Sequence, residues 1–356
     1  MASTSCHGHH VRDRSYDEGV ARAPEPSAAR VAVVVPTHSR ADLLPRLIAG
    51  LEAQLGTVDF EVVIVDDASR DRTVAVLERI AVDSPLRLKV LRQERNQGPA
   101  AARNAGWRAT SAEVIAFTDD DCAAEAGWLQ SLVSGLDDAD LAQGRTIPDP
   151  DEIDRMGPFS RTLSVGNEDG FYQTCNIAYR RPVLERLDGF DEAFRFPAGE
   201  DTDLAWRARD AGATTTFRPT AVVRHAVRPS RLWPALRDTW RWQSAPQAIS
   251  RHPELRSLIY RPHIWRAAHP LVLVALAGAA LAVAAPWLGD WRATTAAWLV
   301  AGLSLTPYAT YRTRRHPLPG TRRRSRLLLL PAAFLIDAAE VLACLVGSVR
   351  YRTLLL

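Results

Sequence analysis

Cysteine is scarce in this sequence, and its arrangement indicates the redox environment. The 356 residues include four cysteines, and no CxxC pair occurs among them. Widely scattered cysteines of this kind are typical of free thiols in a reducing compartment. A disulfide-stapled secreted fold is therefore not expected.

Two common phosphate-binding signatures are also missing. No GxGxxG follows the first apolar run, and no GxxxxGK[ST] occurs anywhere. Because these glycine-rich loops supply the backbone amides that hold phosphates, dinucleotide-binding and P-loop folds lose their main support. Residues 1–29 lack the apolar core of a signal peptide, so we expect a disordered leader there.

Negative charge is sparse in the last third of the chain. Residues 227–356 carry 18 arginines, no lysine and 5 acidic residues, a net charge of +13. Residues 1–226 carry 26 basic and 36 acidic residues, a net charge of −10. This asymmetry indicates that the two parts lie in different environments.

Three long apolar runs lie in the basic part, at about 270–288, 293–311 and 327–349. Roughly 20 apolar helical residues span a hydrocarbon core about 30 Å thick. We therefore predict a membrane domain over 269–356 with two or three helices. Charged residues are costly inside a membrane, and the third run contains Asp337 and Glu340. It is therefore predicted to be either a span or an interfacial helix.

The arginines around these runs predict the topology. The basic stretch 312–326 favours the cytoplasmic side, which makes the chain a multi-pass protein of the cell membrane with a cytoplasmic front part. Residues 227–268 mix arginine with tryptophan, a pattern found in nucleic-acid binders and in interfacial segments. Their place directly before the apolar runs favours contact with membrane lipids, and no nucleic acid is expected.

The front part reads as alternating strands and helices. Short apolar runs occur at 31–35, 62–65, 88–91 and 114–117, and helical patterns separate them at 41–54, 71–80 and 99–110. This alternation predicts an α/β fold with an open, mostly parallel sheet that is covered on both faces.

Polar residues follow three of these strands, in PTHSR (36–40), DDASRD (66–71) and TDDD (118–121). In open α/β sheets, ligands collect outside the carboxyl ends of the strands. Adjacent carboxylates suit Mg²⁺ or Mn²⁺, which commonly bridge protein acids to substrate phosphates. The alternative is a solvated acidic turn.

Taken together, these residues resemble the family 2 glycosyltransferases of the GT-A fold, from Val31 to His225. Five motifs carry the resemblance in order: VVVPTHSR (33–40), VIVDDASRDRT (63–73), NQGPAAARNAG (96–106), FTDDDC (117–122) and PAGEDTDLAWRARDAG (197–212). The resemblance implies a GT-A glycosyltransferase domain at 30–226, with a nucleotide half at about 30–122 and an acceptor half at about 123–226.

The resemblance also implies roles for individual residues. Asp201 would be the catalytic base. Residues that would bind the nucleotide-sugar are Pro36, Thr37, Arg40, Asp67, Arg103, Asp119 and Asp120. The divalent cation, Mg²⁺ or Mn²⁺, would be held by Asp121, Asp119 and His225. On the acceptor side the resemblance places Asn176, Glu200 and Trp206.

Each role has a structural alternative. Asp67 could cap the helix that begins near Asp71, and Arg103 could be a surface ion-pair partner. Acids such as Glu200 and Asp201 are favourable at a helix N-terminus on dipole grounds alone. A single histidine after an apolar run, as at His225, is more often structural.

The sequence departs from the processive members of the family, which carry a QxxRW motif. Only TWRWQ (239–243) is present, so a single sugar transfer is expected. The predicted function is metal-dependent, inverting transfer of one sugar from a nucleotide-diphosphate sugar to a lipid-linked or membrane-presented glycan acceptor. Alternatives are a polyprenyl-phosphate sugar synthase and a non-catalytic nucleotide-binding subunit of a membrane assembly.

Overall fold

The structure is a computed structural model that describes residues 29–356. The predicted leader therefore lies almost wholly outside the described residues. Eight strands form one sheet: β1 Val31–Thr37, β2 Phe60–Asp66, β3 Leu88–Arg92, β4 Val114–Thr118, β5 Cys122–Ala124, β6 Leu141–Pro148, β7 Asn176–Arg180 and β8 Thr215–His225.

The sheet has the strand order β3-β2-β1-β4-β7-β6-β8-β5. Strands β3, β2, β1 and β4 are parallel, as predicted for the nucleotide half. The other half is mixed, because β7 runs antiparallel to both its neighbours and β5 runs antiparallel to β8. Strands β6 and β8 are parallel.

Helices cover both faces of the parallel half. They are α1 Leu44–Glu52, α2 Thr73–Asp83 and α3 Pro99–Arg108, close to the predicted ranges. Alternate residues of β1 enter opposite core clusters, with Val33 on one face and Val34 on the other. An added Cβ at Gly106 would lie 2.4 Å from Val34 Cγ1, so glycine is what allows α3 to pack so closely on β1.

The remaining helices lie in the second half of the chain. They are α4 Trp128–Gly135, α5 Arg181–Leu187, α6 Glu200–Asp210, α7 Leu232–Thr239, α8 Ala245–Arg251, α9 Ala268–Ala284, α10 Trp291–Thr310 and α11 Leu330–Tyr351. Two stretches of the described residues, Ala268–Trp287 and Leu330–Tyr351, are long and apolar enough to cross a membrane. Helix α10, which covers the predicted run at 293–311, does not meet that criterion.

Helices α9 and α10 form an antiparallel pair. An added Cβ at Gly278 of α9 would meet Ser304 of α10, and the Trp298 Nε1 of α10 donates to the Ala282 carbonyl of α9. Helix α11 packs differently. Its Gly347 lies against the Gln243 carbonyl and Pro246, in the segment that follows α7.

The acids of α11 are paired with the ends of its neighbours. Asp337 accepts from Tyr308 Oη at 2.7 Å and from Arg312 Nε at 2.8 Å. Glu340 lies 3.2 Å from Arg266 Nη1. Since these partners lie at the start of α9 and the end of α10, the middle of α11 is level with that end of the helix pair.

Candidate active site

A cavity of about 830 Å³ opens at the carboxyl ends of β1 and β4. Most of the residues singled out in the sequence line it: Pro36, Thr37, Arg40, Asp67, Arg103, Asp119, Asp120, Asp121, Glu200, Asp201 and His225. The topology brings them together because parallel strands end at one edge and α6 begins beside it.

Asp120 connects the ends of β1 and β4. Its Oδ2 accepts from Thr37 Oγ1 at 2.7 Å, and Arg40 Nε lies 4.0 Å from its Oδ1. Burial, followed by the charge of Asp121, raises the pKa of Asp120 to about 7. The alternative of a solvated acidic turn is therefore wrong for this residue.

Asp67 positions the loop before α3. Its two carboxylate oxygens accept the backbone amides of Gln97 at 2.8 Å and Gly98 at 2.9 Å. A different acid accepts a hydrogen bond at the start of helix α2, where Thr73 N donates to Asp71 Oδ1 at 3.0 Å. The alternative that made Asp67 a helix cap is wrong.

Arg103 is the cation among the acids. Its Nη2 lies 2.8 Å from Asp119 Oδ1 and its Nη1 lies 2.9 Å from Glu200 Oε1. The side chain is 5% exposed, so the surface ion-pair alternative is wrong. Arg103 joins the acidic turn after β4 to the first residue of α6. Glu200 is thus occupied by an internal ion pair.

Asp121 and His225 form the group best suited to a metal ion. His225 Nε2 lies 3.4 Å from Asp121 Oδ1, and Cys122 Sγ belongs to the same cluster, whose ligand atoms lie within 4.8 Å of one another. The cluster forms because Cys122 of β5 is paired with His225 of β8. Asp119 is not in it, since Arg103 binds its carboxylate.

The donors of this group fit a divalent cation such as Mn²⁺ or Mg²⁺. Carboxylate suits both ions, and imidazole is a common ligand of transition metals. A hydrogen bond with Cys175, together with burial, raises the pKa of the Cys122 thiol well above its usual value. Asp121 and His225 supply the oxygen and nitrogen ligands of this cluster, and Cys122 supplies a sulfur beside them.

Asp201 is the second residue of α6 and faces the cavity. Its Oδ1 accepts the Thr202 amide at 2.8 Å. Burial raises the pKa of Asp201, while the charge of Arg103 opposes that rise. A carboxylate with a raised pKa is a stronger proton acceptor than a free aspartate.

Two predicted acceptor-side residues do not line the cavity. Asn176 is buried, its Oδ1 accepts from Trp128 Nε1 at 2.8 Å, and its Nδ2 donates to two backbone carbonyls at 2.9 Å. Trp206 donates its Nε1 to the Gly170 carbonyl at 2.9 Å. Both side chains are used in hydrogen bonds within the protein. Their positions therefore do not support an acceptor-side role for either residue.

Several residues of the cavity wall were given no role in the site from the sequence. They include Arg161, Arg228, Arg241, Trp242 and Trp265. All but the first belong to the stretch interpreted as an interfacial segment at 227–268, because tryptophan beside arginine is typical of membrane surfaces. Part of that stretch lines the cavity, so the site extends past the predicted domain boundary at 226.

Residues 32–188 match the family model described as Glycosyl transferase family 2. This match supports the predicted resemblance to family 2 glycosyltransferases over those residues. A pre-mycofactocin glycosyltransferase of Mycobacterium tuberculosis is 30% identical over 244 residues, which cover 64% of this chain and 49% of that protein. The succinoglycan biosynthesis protein ExoO of Rhizobium meliloti is 32% identical over 227 residues, covering 58% and 63% respectively.

A solved structure shows the same fold. The mannosyltransferase PcManGT of Pyrobaculum calidifontis, in complex with GDP-Man and Mn²⁺, matches with a TM-score of 0.57 and 24% identity, over 90% of this chain and 89% of that one. The predicted GT-A fold is thereby confirmed. The chain spans 49% and 63% of the length of the two curated relatives.

Proposed function

We propose that this chain is a metal-dependent, inverting glycosyltransferase. It moves one sugar from a nucleoside diphosphate sugar to a hydroxyl of a membrane-associated or lipid-linked acceptor. The observation that carries the proposal is that the Asp121–His225 pair and Asp201 face one cavity, with Arg103 fixing the acids between them.

The donor end of the cavity is the edge formed by β1 and β4. A divalent cation held there by Asp121 and His225 would stabilise the negative charge of the departing nucleoside diphosphate. Arg40 and Arg228 line the same end, and Arg228 Nη1 lies 3.9 Å from Asp121 Oδ2. Guanidinium groups in this position can donate to phosphate oxygens.

Asp201 acts on the acceptor. It removes the proton from the attacking hydroxyl as the new glycosidic bond forms, so that the acceptor oxygen is a better nucleophile. Attack on the face opposite to the leaving group inverts the configuration at the anomeric carbon. Arg103, bound to Asp119 and Glu200, keeps the neighbouring carboxylates in place while Asp201 remains unpaired by any guanidinium among the described residues.

The relatives support this class of reaction. One is named a glycosyltransferase and another a polysaccharide biosynthesis protein, and PcManGT holds GDP-Man with Mn²⁺. A non-catalytic nucleotide-binding subunit has less support, because such a protein does not need Asp201 at the cavity. A polyprenyl-phosphate sugar synthase stays as the second candidate, favoured by the apolar wall that residues 242–265 add to the cavity.

The substitution Asp201→Asn tests the proposal. We expect sugar transfer by the purified full chain to fall by roughly 10²- to 10⁴-fold, the usual contribution of a general base. Nucleotide binding should stay within twofold, because Asp201 is not among the proposed metal ligands. The matched control is Asp210→Asn, an exposed acid of the same helix. Transfer near the wild-type rate in Asp201→Asn would refute the assignment of the base.

A further inference from the structure

One part of the cavity has a different lining from the part that contains the acids. Its wall there is formed by the aromatic and aliphatic side chains of Trp242, Ile249, Leu255 and Trp265. The rings of Trp242 and Trp265 lie 5.2 Å apart, and Phe171 lies 6.2 Å from Trp265. Such a wall can cover an apolar chain.

One cation in this wall has no carboxylate partner among the described residues, although its guanidinium lies over the Trp242 ring at 4.7 Å from the centroid. Arg241 lines the cavity, and its Nε is buried with no hydrogen-bond partner among the described residues. The carboxylate of Asp238, which also lines the cavity, is bound by Arg161 Nη1. Burial lowers the pKa of the Arg241 guanidinium, which reflects the cost of holding this charge away from water.

A second donor in the same wall is also unpartnered. Trp265 Nε1 is buried and has no acceptor among the described residues. Buried donors of folded proteins are nearly always satisfied, so two free donors that line one cavity point to an acceptor group supplied by a ligand. A guanidinium and an indole N–H together select an anionic oxygen.

We propose that this end of the cavity binds a phosphate group attached to an apolar chain, as the anchoring end of the acceptor. Arg241 and Trp265 donate to the phosphate oxygens, and the rings of Trp242 and Trp265 cover the first carbons of the chain. The inference rests on the proposed function, because it assumes that the acceptor enters the same cavity as the donor.

The site is distinct from the place of the donor diphosphate. That diphosphate belongs at the Asp121–His225 end, where a cation neutralises it, whereas Arg241 carries its own charge and needs no metal. The continuation of the chain from this wall into α9 also brings the apolar surface next to the first candidate span, Ala268–Trp287. A lipid phosphate can thus reach the site directly from the membrane.

Binding of three probes to the detergent-solubilised full chain tests the inference. Calorimetry with a metal chelator present would compare farnesyl phosphate, farnesol and inorganic phosphate. We expect farnesyl phosphate to bind at least tenfold more tightly than either of the others. Equal binding of farnesol would overturn the anion site, and equal binding of inorganic phosphate would overturn the assignment to a lipid.

Substitutions test which residues bind farnesyl phosphate. Arg241→Gln should weaken farnesyl phosphate binding at least tenfold, and Trp265→Phe, which keeps a ring but removes the N–H, should weaken it several-fold. Arg237→Gln is the control, since Arg237 is exposed one turn earlier and does not line the cavity. Unchanged binding in Arg241→Gln would contradict the proposal.

Nucleotide binding at the donor end of the cavity distinguishes a failure of this inference from a failure of the proposed function. Mn²⁺-dependent nucleotide binding should stay within twofold in Arg241→Gln, which also shows that the variant is folded. If wild-type chain binds no nucleotide-sugar but still binds farnesyl phosphate, the proposed function fails and the anion site stands. If the wild-type chain binds nucleotide-sugar but not farnesyl phosphate, the anion site fails and the proposed function stands.

Discussion

At the scale of single residues, Arg103 holds a position on which the neighbouring acids depend. Its guanidinium contacts Asp119 and Glu200 from the interior of the protein. Burial raises the pKa of Glu200, and the charge of Arg103 opposes this. Removing the cation leaves the buried carboxylate of Glu200 without compensation, which is more costly than removing both members of a pair.

Arg103→Gln should therefore lower the free energy of unfolding by about 3–5 kcal/mol. Denaturation of the full chain in detergent, followed by tryptophan fluorescence, measures this loss. The control is Arg108→Gln on the same helix, whose side chain is 41% exposed, and it should cost about 1 kcal/mol or less. Equal losses in the two variants would show that Arg103 does not compensate the acids.

Residue types at strand ends were predictable, and the direction of single side chains was not. Asp120, Asp121 and Asp201 face the cavity because each lies where an element begins or ends, which a sequence pattern reveals. Asn176 lies next to Cys175, which lines the cavity. The Asn176 side chain does not line it, and its Nδ2 donates to the Arg145 carbonyl of β6. In a strand neighbouring side chains point to opposite faces, so this outcome depends on register.

At the scale of elements, α6 is tied to α8 through one buried acid. Asp203 accepts from Arg207 Nε at 2.8 Å, from Arg251 Nη1 at 3.1 Å and from His252 Nε2 at 3.2 Å. Burial alone would raise its pKa, but hydrogen bonds from His252 and Arg207 lower the pKa of Asp203 to about 2. Helix α6, which carries Asp201, is held in place by this network.

The pKa of Asp203 predicts a pH dependence of stability. Its folded value lies below the 3.8 of a free aspartate, so the contribution is fully present above about pH 4 and is lost as pH falls toward 2. The shift corresponds to about 2 kcal/mol. The stability gap between wild type and Asp203→Asn should shrink as pH falls from 5 to 3.

Asp154→Asn, at an exposed position outside this network, serves as the control and should show no such convergence. A gap between wild type and Asp203→Asn that is constant over this pH range would contradict the lowered pKa. The measurement is denaturation of the full chain in detergent at each pH.

Elements with a repeating pattern were predictable. Strands β1 to β4 and helices α1 to α3 follow from apolar runs alternating with helical spacing. Strand β5 has three residues and β8 contains Pro219, so neither gives a strand signal. Their pairing nevertheless creates the Cys122–His225 neighbourhood, which only the tertiary structure reveals.

At the scale of the whole molecule, the segment that leads into the apolar helices forms part of the cavity wall, with Arg241, Trp242 and Trp265. Although α11 meets the length and hydropathy criterion for a span and α10 does not, we propose that the α9–α10 pair crosses the membrane and that α11 lies along its cytoplasmic face. The reason is that Asp337 and Glu340, in the middle of α11, are paired with residues at one end of the α9–α10 pair, while Gly347 packs against Gln243 and Pro246. The charge pattern alone did not decide whether the third apolar run spans the membrane, since it contains no information on what covers Asp337 and Glu340.

A reporter fused to the C-terminus of the full chain tests this arrangement. We expect green fluorescent protein after Leu356 to fluoresce and alkaline phosphatase at the same place to be inactive, as in the cytoplasm. Fusions after Asp290 should give the opposite result, because that turn is proposed to lie outside. Active phosphatase after Leu356 would show that α11 is a third span.

The central claim is that Asp121 and His225 hold a divalent cation that binds the donor diphosphate. The most direct measurement is the affinity of the full chain for its tightest-binding nucleoside diphosphate, with Mn²⁺ or with chelator. We predict that Mn²⁺ raises the affinity at least tenfold in wild type and in Asp210→Asn, and not in Asp121→Asn or His225→Gln. Affinity that is the same with and without Mn²⁺ in wild type would contradict the account.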